Sequence, residues 1–408
     1  MLRICISNFL YYAATACFYP YLQIMLRNNG FSHSLTGLIL GASFIPMIFF
    51  PLLLSHLADR SGKYRLLVIG CALASVLLFF PLSASNKFII CLLTVPTCRG
   101  IHSSISPLID SMSTIAYKGD SFKYSIIRGI GTGGYIASCL LVGFLGLINT
   151  NSNASVRTMF ISLMIALIIT LIVIPKMFDS VKNRIDKEKD NVKVSLTKEQ
   201  KMNIALFFTA IMLFKCGNSP TGLLSSYMTE VLNFGDRFIL FNSIGSIFEM
   251  AAMFICGKLL EKNKIRPYSL IIIGALALII RLLIYRYFKS IAGFIIAQSL
   301  HSLSFGGFQI ASIKYISNAV PNEKTSSAIG IYEGIGTALP GAIGNAIGGA
   351  IIQHFGYDSL FTSFAVVTAA SLLVFIAGKK RLENFSLCDE CKLNHEPVAD
   401  CSTGNGIA

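Results

Sequence analysis

A chain of 408 residues in which 54% are apolar and 13% carry a charge is excluded from the water-soluble class, where charged residues make up about 25% of the sequence. It reads as a polytopic protein of the lipid bilayer. The formal net charge of +14 is taken as loop charge that sets orientation, and no nucleic-acid partner is expected.

A spanning helix takes about 20 mainly apolar residues. Twelve such windows are placed in chain order: Ile4–Leu26, Ser34–Leu57, Arg65–Ala84, Phe88–Ala116, Tyr124–Ile148, Val156–Ile174, Met202–Leu232, Arg237–Leu260, Tyr268–Tyr287, Ile291–Ile316, Ser326–Ile352 and Ser359–Ala377. The first is read as a helix and not as a cleaved leader, since no small-residue cleavage site follows a short apolar core. Between the sixth and seventh windows, Lys182, Arg184, Asp186, Lys187, Glu188, Lys189 and Asp190 crowd together, the pattern of a solvated linker. The predicted domains are a six-helix bundle over 1–175, a cytoplasmic linker over 176–201, a second six-helix bundle over 202–378 and a cytoplasmic tail over 379–408.

The loops on the side of the two ends hold about 24 Lys and Arg, whereas the opposite loops hold Arg27, Lys87, Arg157, Arg237, Arg286 and Lys289; this bias predicts cytoplasmic termini in a multi-pass cell-membrane protein. Asn153-Ala154-Ser155 falls in an outside loop and has the form of a glycan acceptor, a match that chance also supplies.

Two charges stand inside the fourth and fifth windows, Asp110 and Arg128. Charge in hydrocarbon costs several kcal/mol, so the two are expected to face each other or a wet cavity. A buried pair that merely fixes the packing of two helices is the competing reading. The planar fork of Arg128 suits paired hydroxyls or a carboxylate. Tyr135, seven residues beyond it, shares its helix face, where its ring either stacks on a solute or packs. Arg99 and His102, one turn apart in the fourth window, line the same cavity or serve packing and snorkelling.

In the second half, Glu249 has apolar neighbours on both sides and is the first choice for a proton carrier; permanent pairing with Arg281 or His301 is the alternative. Asp110, His301 and Glu333 are the other proton-coupling candidates. No second histidine stands at ligand spacing, and no metal or cofactor is expected. Cys5, Cys17, Cys71, Cys91, Cys98, Cys139, Cys216 and Cys256 lie in apolar runs, where Cys packs as a small residue. In the tail, Cys388, Cys391, His395 and Cys401 have a spacing compatible with zinc, although polar tails often scatter such residues. Glycines cluster at Gly129, Gly131, Gly133 and Gly134 and again from Gly330 to Gly349, as at close helix contacts; inside a spanning helix they are not a phosphate-binding loop.

Between the second and third windows the chain reads Ser55-His56-Leu57-Ala58-Asp59-Arg60-Ser61-Gly62-Lys63. This resembles the signature loop of the major facilitator superfamily, with Ser55 at a position that is usually Gly; Gly257 to Lys262 is a degenerate second copy. In the family, this cluster, here Ser55, Asp59, Arg60, Gly62 and Lys63, acts as a cytoplasmic latch. A closer resemblance covers nearly the whole membrane region. Tyr11-Tyr12, Phe18-Tyr19-Pro20-Tyr21, Gly30-Phe31-Ser32 and Thr36-Gly37, followed by Pro107, Asp110, Arg128 and Tyr135 at matching spacings, look like the lactose permease and phenylpropionate permease branch. Asp110 replaces a Glu and Tyr135 a Trp of lactose permease, so the galactoside-specific version is not expected.

Glu249, Arg281 and His301 resemble the branch's second-half residues, and Lys314 matches a basic position. Ser304 stands where lactose permease has an acid, so proton coupling uses another group or is absent. The resemblance implies an all-α membrane fold of twelve transmembrane helices in two pseudo-symmetric bundles. It further implies a substrate site of Asp110, Arg128, Tyr135, Glu249, Arg281 and His301. Relatives pair charges between helices seven and eleven; here Lys215 and Glu333 are expected to pair with exchanged signs, because each alone is costly in the bilayer.

The expected function is alternating-access transport of a small organic solute, a sugar, nucleoside or aromatic acid, with a proton as co-substrate and the protein acting as a monomer. Uniport or export by the same fold, and a membrane ligand sensor that does not transport, are the competing readings. No nucleophile, metal cluster or cofactor motif stands at catalytic spacing, so an enzyme is not expected.

Overall fold

The computed structural model describes residues 1–117, 121–174, 198–320 and 328–383. Most of the linker, 176–197, and the tail from 384 onward, with its cysteines and His395, lie outside the described residues. The helices are α1 (Leu2–Ala16 continued by Tyr19–Asn28), α2 (His33–Ser61), α3 (Tyr64–Ala84), α4 (Phe88–Ala116), α5 (Ser121–Leu145), α6 (Asn153–Val173), α7 (Lys198–Val231), α8 (Gly235–Glu261), α9 (Pro267–Tyr287) and α10 (Ile291–Ala319). The run Ala328–Leu382 folds at Gly356, whose φ of 77° departs from the helix, into α11 (328–355) and α12 (357–382). Among the described residues, ten runs are long and apolar enough to cross a membrane; the tenth supplies two crossings and the broken α1 another, which completes twelve.

Several of these helices depart from plain α geometry. α1 breaks at Cys17 and Phe18, just before Pro20, which has no N–H to continue the ladder. α7 tightens into a 3₁₀ turn at Ser219–Leu223 and loosens into a π turn at Tyr227–Val231. π turns also interrupt α10 at Ser302–Gly307 and α11 at Tyr332–Ala338. α7 begins at Lys198, inside the stretch read from sequence as linker, and α12 carries the first residues of the predicted tail as far as Leu382.

Neighbour relations repeat six helices apart. In the first half α1 packs on α5, α2 and α3 on α4, and α3 on α6; in the second, α7 packs on α11, α8 and α9 on α10, and α9 on α12. The signature loop ends α2 with Gly62 in the left-handed region at φ 68°, its N–H bonded to the Ala58 carbonyl at 2.7 Å, and a glycine is favoured in that conformation. The first residue of α3, Tyr64, donates its hydroxyl proton to Asp59. Asn153 ties loop ends of the first half together, donating to Asn29 Oδ1 at 2.7 Å and to the Met25 carbonyl at 3.1 Å.

The two halves meet at the end away from the termini. A Cβ on Gly37 of α2 would collide with the Asn345 carbonyl and lie 2.8 Å from Gly349 Cα of α11, and a Cβ on Gly143 of α5 would press on Leu240 of α8. Polar clasps surround these backbone contacts. Glu230 faces Arg27 Nε at 3.4 Å and His33 Nε2 at 3.3 Å. Asp236 Oδ1 accepts from Thr150 through its backbone N–H at 2.5 Å and its hydroxyl at 2.6 Å. Ser226 N–H donates to Gln23 Oε1 across the halves at 3.0 Å.

Overpacking a tight contact costs about 1–3 kcal/mol, so Gly37→Leu is expected to bias the protein away from this closed arrangement. A cysteine introduced at Leu40, 4% exposed here, should then react about tenfold faster with a water-soluble thiol reagent. An unchanged rate would mean that the glycine contact does not hold this end shut.

Candidate substrate cavity

The polar and glycine contacts between the halves gather at the closed end; below it, toward the termini, the cavity side of the first half holds an open recess of about 340 Å³ lined by Tyr64, Asp110, Ser111, Thr114 and Ile115. On its first-half wall, α4 and α5 bring Arg128 NH1 to 3.1 Å from Asp110 Oδ2. Arg128 is 44% exposed, so the pair faces open space and not a packed seam. Two further residues shape it. Ser106, one turn before Asp110, accepts from Arg128 NH1 at 3.0 Å and lies 3.1 Å from the Tyr12 hydroxyl, and the Tyr12 ring lies 5.1 Å from the guanidinium carbon. α1 is fixed beside this site by Asn8, whose amide donates to the Ile127 carbonyl at 2.8 Å, and by Gly131, where a Cβ would come 2.7 Å from the Tyr12 ring. Ordered donors, an acceptor and an aromatic face together suit a hydroxyl-bearing solute.

The second-half wall carries Glu249 of α8, whose Oε2 lies 3.7 Å from His301 Nε2 of α10. Both are half-buried, and Gly306 in the π turn lets α10 approach, since a Cβ there would sit 3.1 Å from Glu249 Cγ. Arg281 of α9 is 1% exposed; its Nε donates to the Tyr285 hydroxyl at 3.1 Å and its NH1 to Thr221 in the 3₁₀ turn of α7 at 3.3 Å. It is thus held by neutral partners at the α7 break, and its remaining NH2 has no hydrogen-bond partner among the described residues.

Lys215 and Glu333 are not in direct contact. Gln309 of α10 stands between them: Lys215 Nζ donates to Gln309 Oε1 at 2.8 Å, Tyr332 donates to the same oxygen at 3.0 Å, and Gln309 Nε2 donates to Glu333. The expected ion pair is therefore replaced by an amide-bridged one. The Tyr332 ring, 5.2 Å from Lys215 Nζ, adds a cation–π contact.

Tyr135 is half-buried at the top of the cavity, where its hydroxyl accepts from Asn242 Nδ2 of α8 at 3.1 Å, a contact between the halves. His102 is fully buried, stacked on Tyr11 at 5.0 Å and bonded to Thr15 Oγ1 at 3.0 Å. The packing half of its alternative therefore describes it. Arg99 lies between the rings of Tyr19 at 5.1 Å and Phe44 at 5.4 Å. Lys314 is exposed on α10. Among the described residues no His, Cys, Asp or Glu cluster suited to a metal ion is found. Tyr12, Ser106, Gln309 and Asn242 were not singled out as site residues from sequence; the i to i+4 spacing of Ser106 and Asp110 was the one available signal.

Solved transporters share this architecture. The nucleoside transporter NupG matches 93% of this chain and 98% of its own, with a TM-score of 0.78 and 17% sequence identity. A POT family transporter in complex with a thioalcohol conjugated peptide matches 93% and 96% at a TM-score of 0.70 and 12% identity. A bacterial homolog of the human lysosomal transporter Spinster, in an inward-facing and occupied conformation, matches 93% and 96% at a TM-score of 0.69 and 14% identity. The likeness is one of fold. The MFS_1 like family matches residues 1–363, and the chain belongs to that family within the major facilitator superfamily, as a multi-pass membrane transporter.

Proposed function

We propose that this transporter carries a small hydroxyl-bearing solute, a sugar or a nucleoside, together with a proton, by rocking its two halves around the cavity. The observation that carries the reading is the Asp110–Arg128 pair at 3.1 Å, its guanidinium exposed and flanked by Ser106 and the Tyr12 ring. A solute hydroxyl that takes either partner competes with this pair, and the ring offers a face for stacking. Glu249 with His301 is assigned the proton. The spacing of Pro107, Asp110, Arg128 and Tyr135 supports a place near the lactose and phenylpropionate permease branch. The nucleoside named for NupG supports the nucleoside as one of the two solute classes. With cytoplasmic termini, as the loop charge indicates, the closed end faces outward and the cavity inward.

Lys215, Gln309 and Glu333 are given a supporting role. An ammonium only 8% exposed needs a bonded acceptor to stay inside the bundle, and Gln309 supplies it while linking the charge to Glu333.

A thermal-shift screen of purified protein against sugars, nucleosides and aromatic acids is expected to give stabilisation by a sugar or nucleoside. Arg128→Ala should weaken that binding about 10- to 100-fold, the equivalent of about 1.5–3 kcal/mol for hydrogen bonds to a charged group. Glu249→Gln should still bind the solute but abolish its accumulation in vesicles driven by a proton gradient. Stabilisation by aromatic acids alone, or gradient-driven uptake that survives Glu249→Gln, would overturn the corresponding part of the reading. Gln309→Leu should lower stability by about 1–3 kcal/mol in detergent unfolding, with Gln309→Glu recovering it; a Leu variant as stable as the parent removes the supporting role.

A further inference from the structure

The hydrogen bond between Tyr135 and Asn242 joins the halves at a height that invites comparison with the charged groups below it. Tyr135 lies seven residues beyond Arg128 on α5, and Asn242 seven residues before Glu249 on α8. The two helices come from opposite halves and pack on each other, so both intervals run from the charged level of the cavity toward the closed end. Seven residues of helix rise about 10 Å. On the same two faces, between these levels, helical spacing places only the short polar side chains of Thr132 and Ser246. Above the bond comes the apolar contact of Gly143 with Leu240. The bond is therefore the ceiling of a corridor whose floor is Arg128 with Asp110 on one side and Glu249 with His301 on the other.

The ceiling also has unused hydrogen-bonding capacity. Asn242 gives one N–H to Tyr135, and its carbonyl oxygen makes no hydrogen bond among the described residues. The tyrosine hydroxyl, which accepts from Asn242, has a proton to donate; its neighbour is the weakly accepting Cys139 sulfur, which a solute oxygen outcompetes. Side by side, an acceptor and a donor complement a group that presents both in turn, such as the amide edge of a nucleobase or neighbouring hydroxyls of a sugar. Meeting floor and ceiling at once takes a solute of about the corridor's height, which one ring does not reach and two linked rings do.

We propose that Asn242, acting with Tyr135, is a specificity-determining residue that selects two-ring solutes: one ring brings hydroxyls to Arg128 and Asp110, and the other presents a donor–acceptor edge to the ceiling. This rests on the hydroxyl-solute reading given above and adds to it a length requirement and a second recognition point. Because the bond joins the two halves, a solute that engages it also touches the contact across which they must part.

The test measures binding of uridine, maltose, glucose and uracil to the purified full chain, in the parent and in Asn242→Leu and Tyr135→Phe. The parent should bind uridine or maltose at least tenfold more tightly than glucose or uracil, and whichever of the two is preferred identifies the source of the second ring. Each variant should reduce that two-ring preference at least fivefold, and in vesicle uptake the loss should fall on KM more than on kcat. Tyr135→Phe changes a single atom and keeps the fold testable if the Leu variant does not express. Equal affinity of the parent for one-ring and two-ring sugars overturns the corridor and leaves the hydroxyl-solute reading standing. A preference untouched by both variants overturns the ceiling's role. Failure of the parent to bind any of the four overturns the hydroxyl-solute reading and this inference with it.

Discussion

Hydrocarbon offers a charged side chain nothing to bond, and a bilayer protein that keeps charges at mid-depth must supply either water or partners there. That constraint organises the molecule. Asp110 and Arg128 are joined and open to the cavity; Glu249 has His301; Lys215 reaches Glu333 through an amide; Arg281 is wrapped by Tyr285 and Thr221. None of these groups solves its problem within its own helix apart from the Arg281–Tyr285 contact, one turn apart on α9. The remaining contacts require neighbouring helices to stay in register, so the charges that define the cavity also hold each half together.

The helices are deformed where those contacts are made. His301 sits at the edge of the π turn of α10, Tyr332 and Glu333 open the π turn of α11, and Thr221 belongs to the 3₁₀ turn of α7. A π turn inserts a residue into the repeat and rotates everything beyond it, which re-aims side chains without adding a loop; such turns recur at functional sites for that reason. In the second half, all three helices that carry these departures line or support the cavity. In the first half, the described departures are the break in α1 and the interruption of α2 at Ser43, and Asp110 and Arg128 stand on the regular α4 and α5.

Much of this architecture was legible in the amino-acid pattern, and the limits of legibility have a physical origin. Apolar windows are long and bounded by charge, so the twelve crossings were found to within a few residues, and the signature loop announced the left-handed Gly62. The nearness of Asp110 and Arg128 could be argued because an isolated charge in a membrane helix is so costly that it demands a partner. Ser106, Tyr12, Gln309 and Asn242 carried no such penalty; neutral polar groups are tolerated in helix interiors and leave no trace in hydropathy. Lys215 and Glu333 show the same limit from the other side. Cost alone said that each needs a partner, but it could not say that an intervening Gln309 would satisfy both, nor could the π turns that set their facing be read from composition.

The closed end illustrates how such a transporter stays able to move. Its clasps are individually weak: Glu230 with Arg27 is about one-third exposed on each side, and exposed ion pairs contribute roughly 0–1 kcal/mol each. The glycine contacts of α2 with α11 add close packing, and the Ser226–Gln23 bond is a buried but uncharged one. A ligand shifts such an equilibrium only by the difference between its affinities for the two states, and one or two hydrogen bonds to charged groups, about 1.5–3 kcal/mol each, are of the same size as a single clasp such as Thr150 with Asp236. The end is therefore held firmly enough to exclude leakage and loosely enough for a solute in the cavity to decide which way it opens. A stronger seal, for instance a desolvated ion pair costing several kcal/mol to part, would outlast the binding energy of a small solute and arrest the cycle.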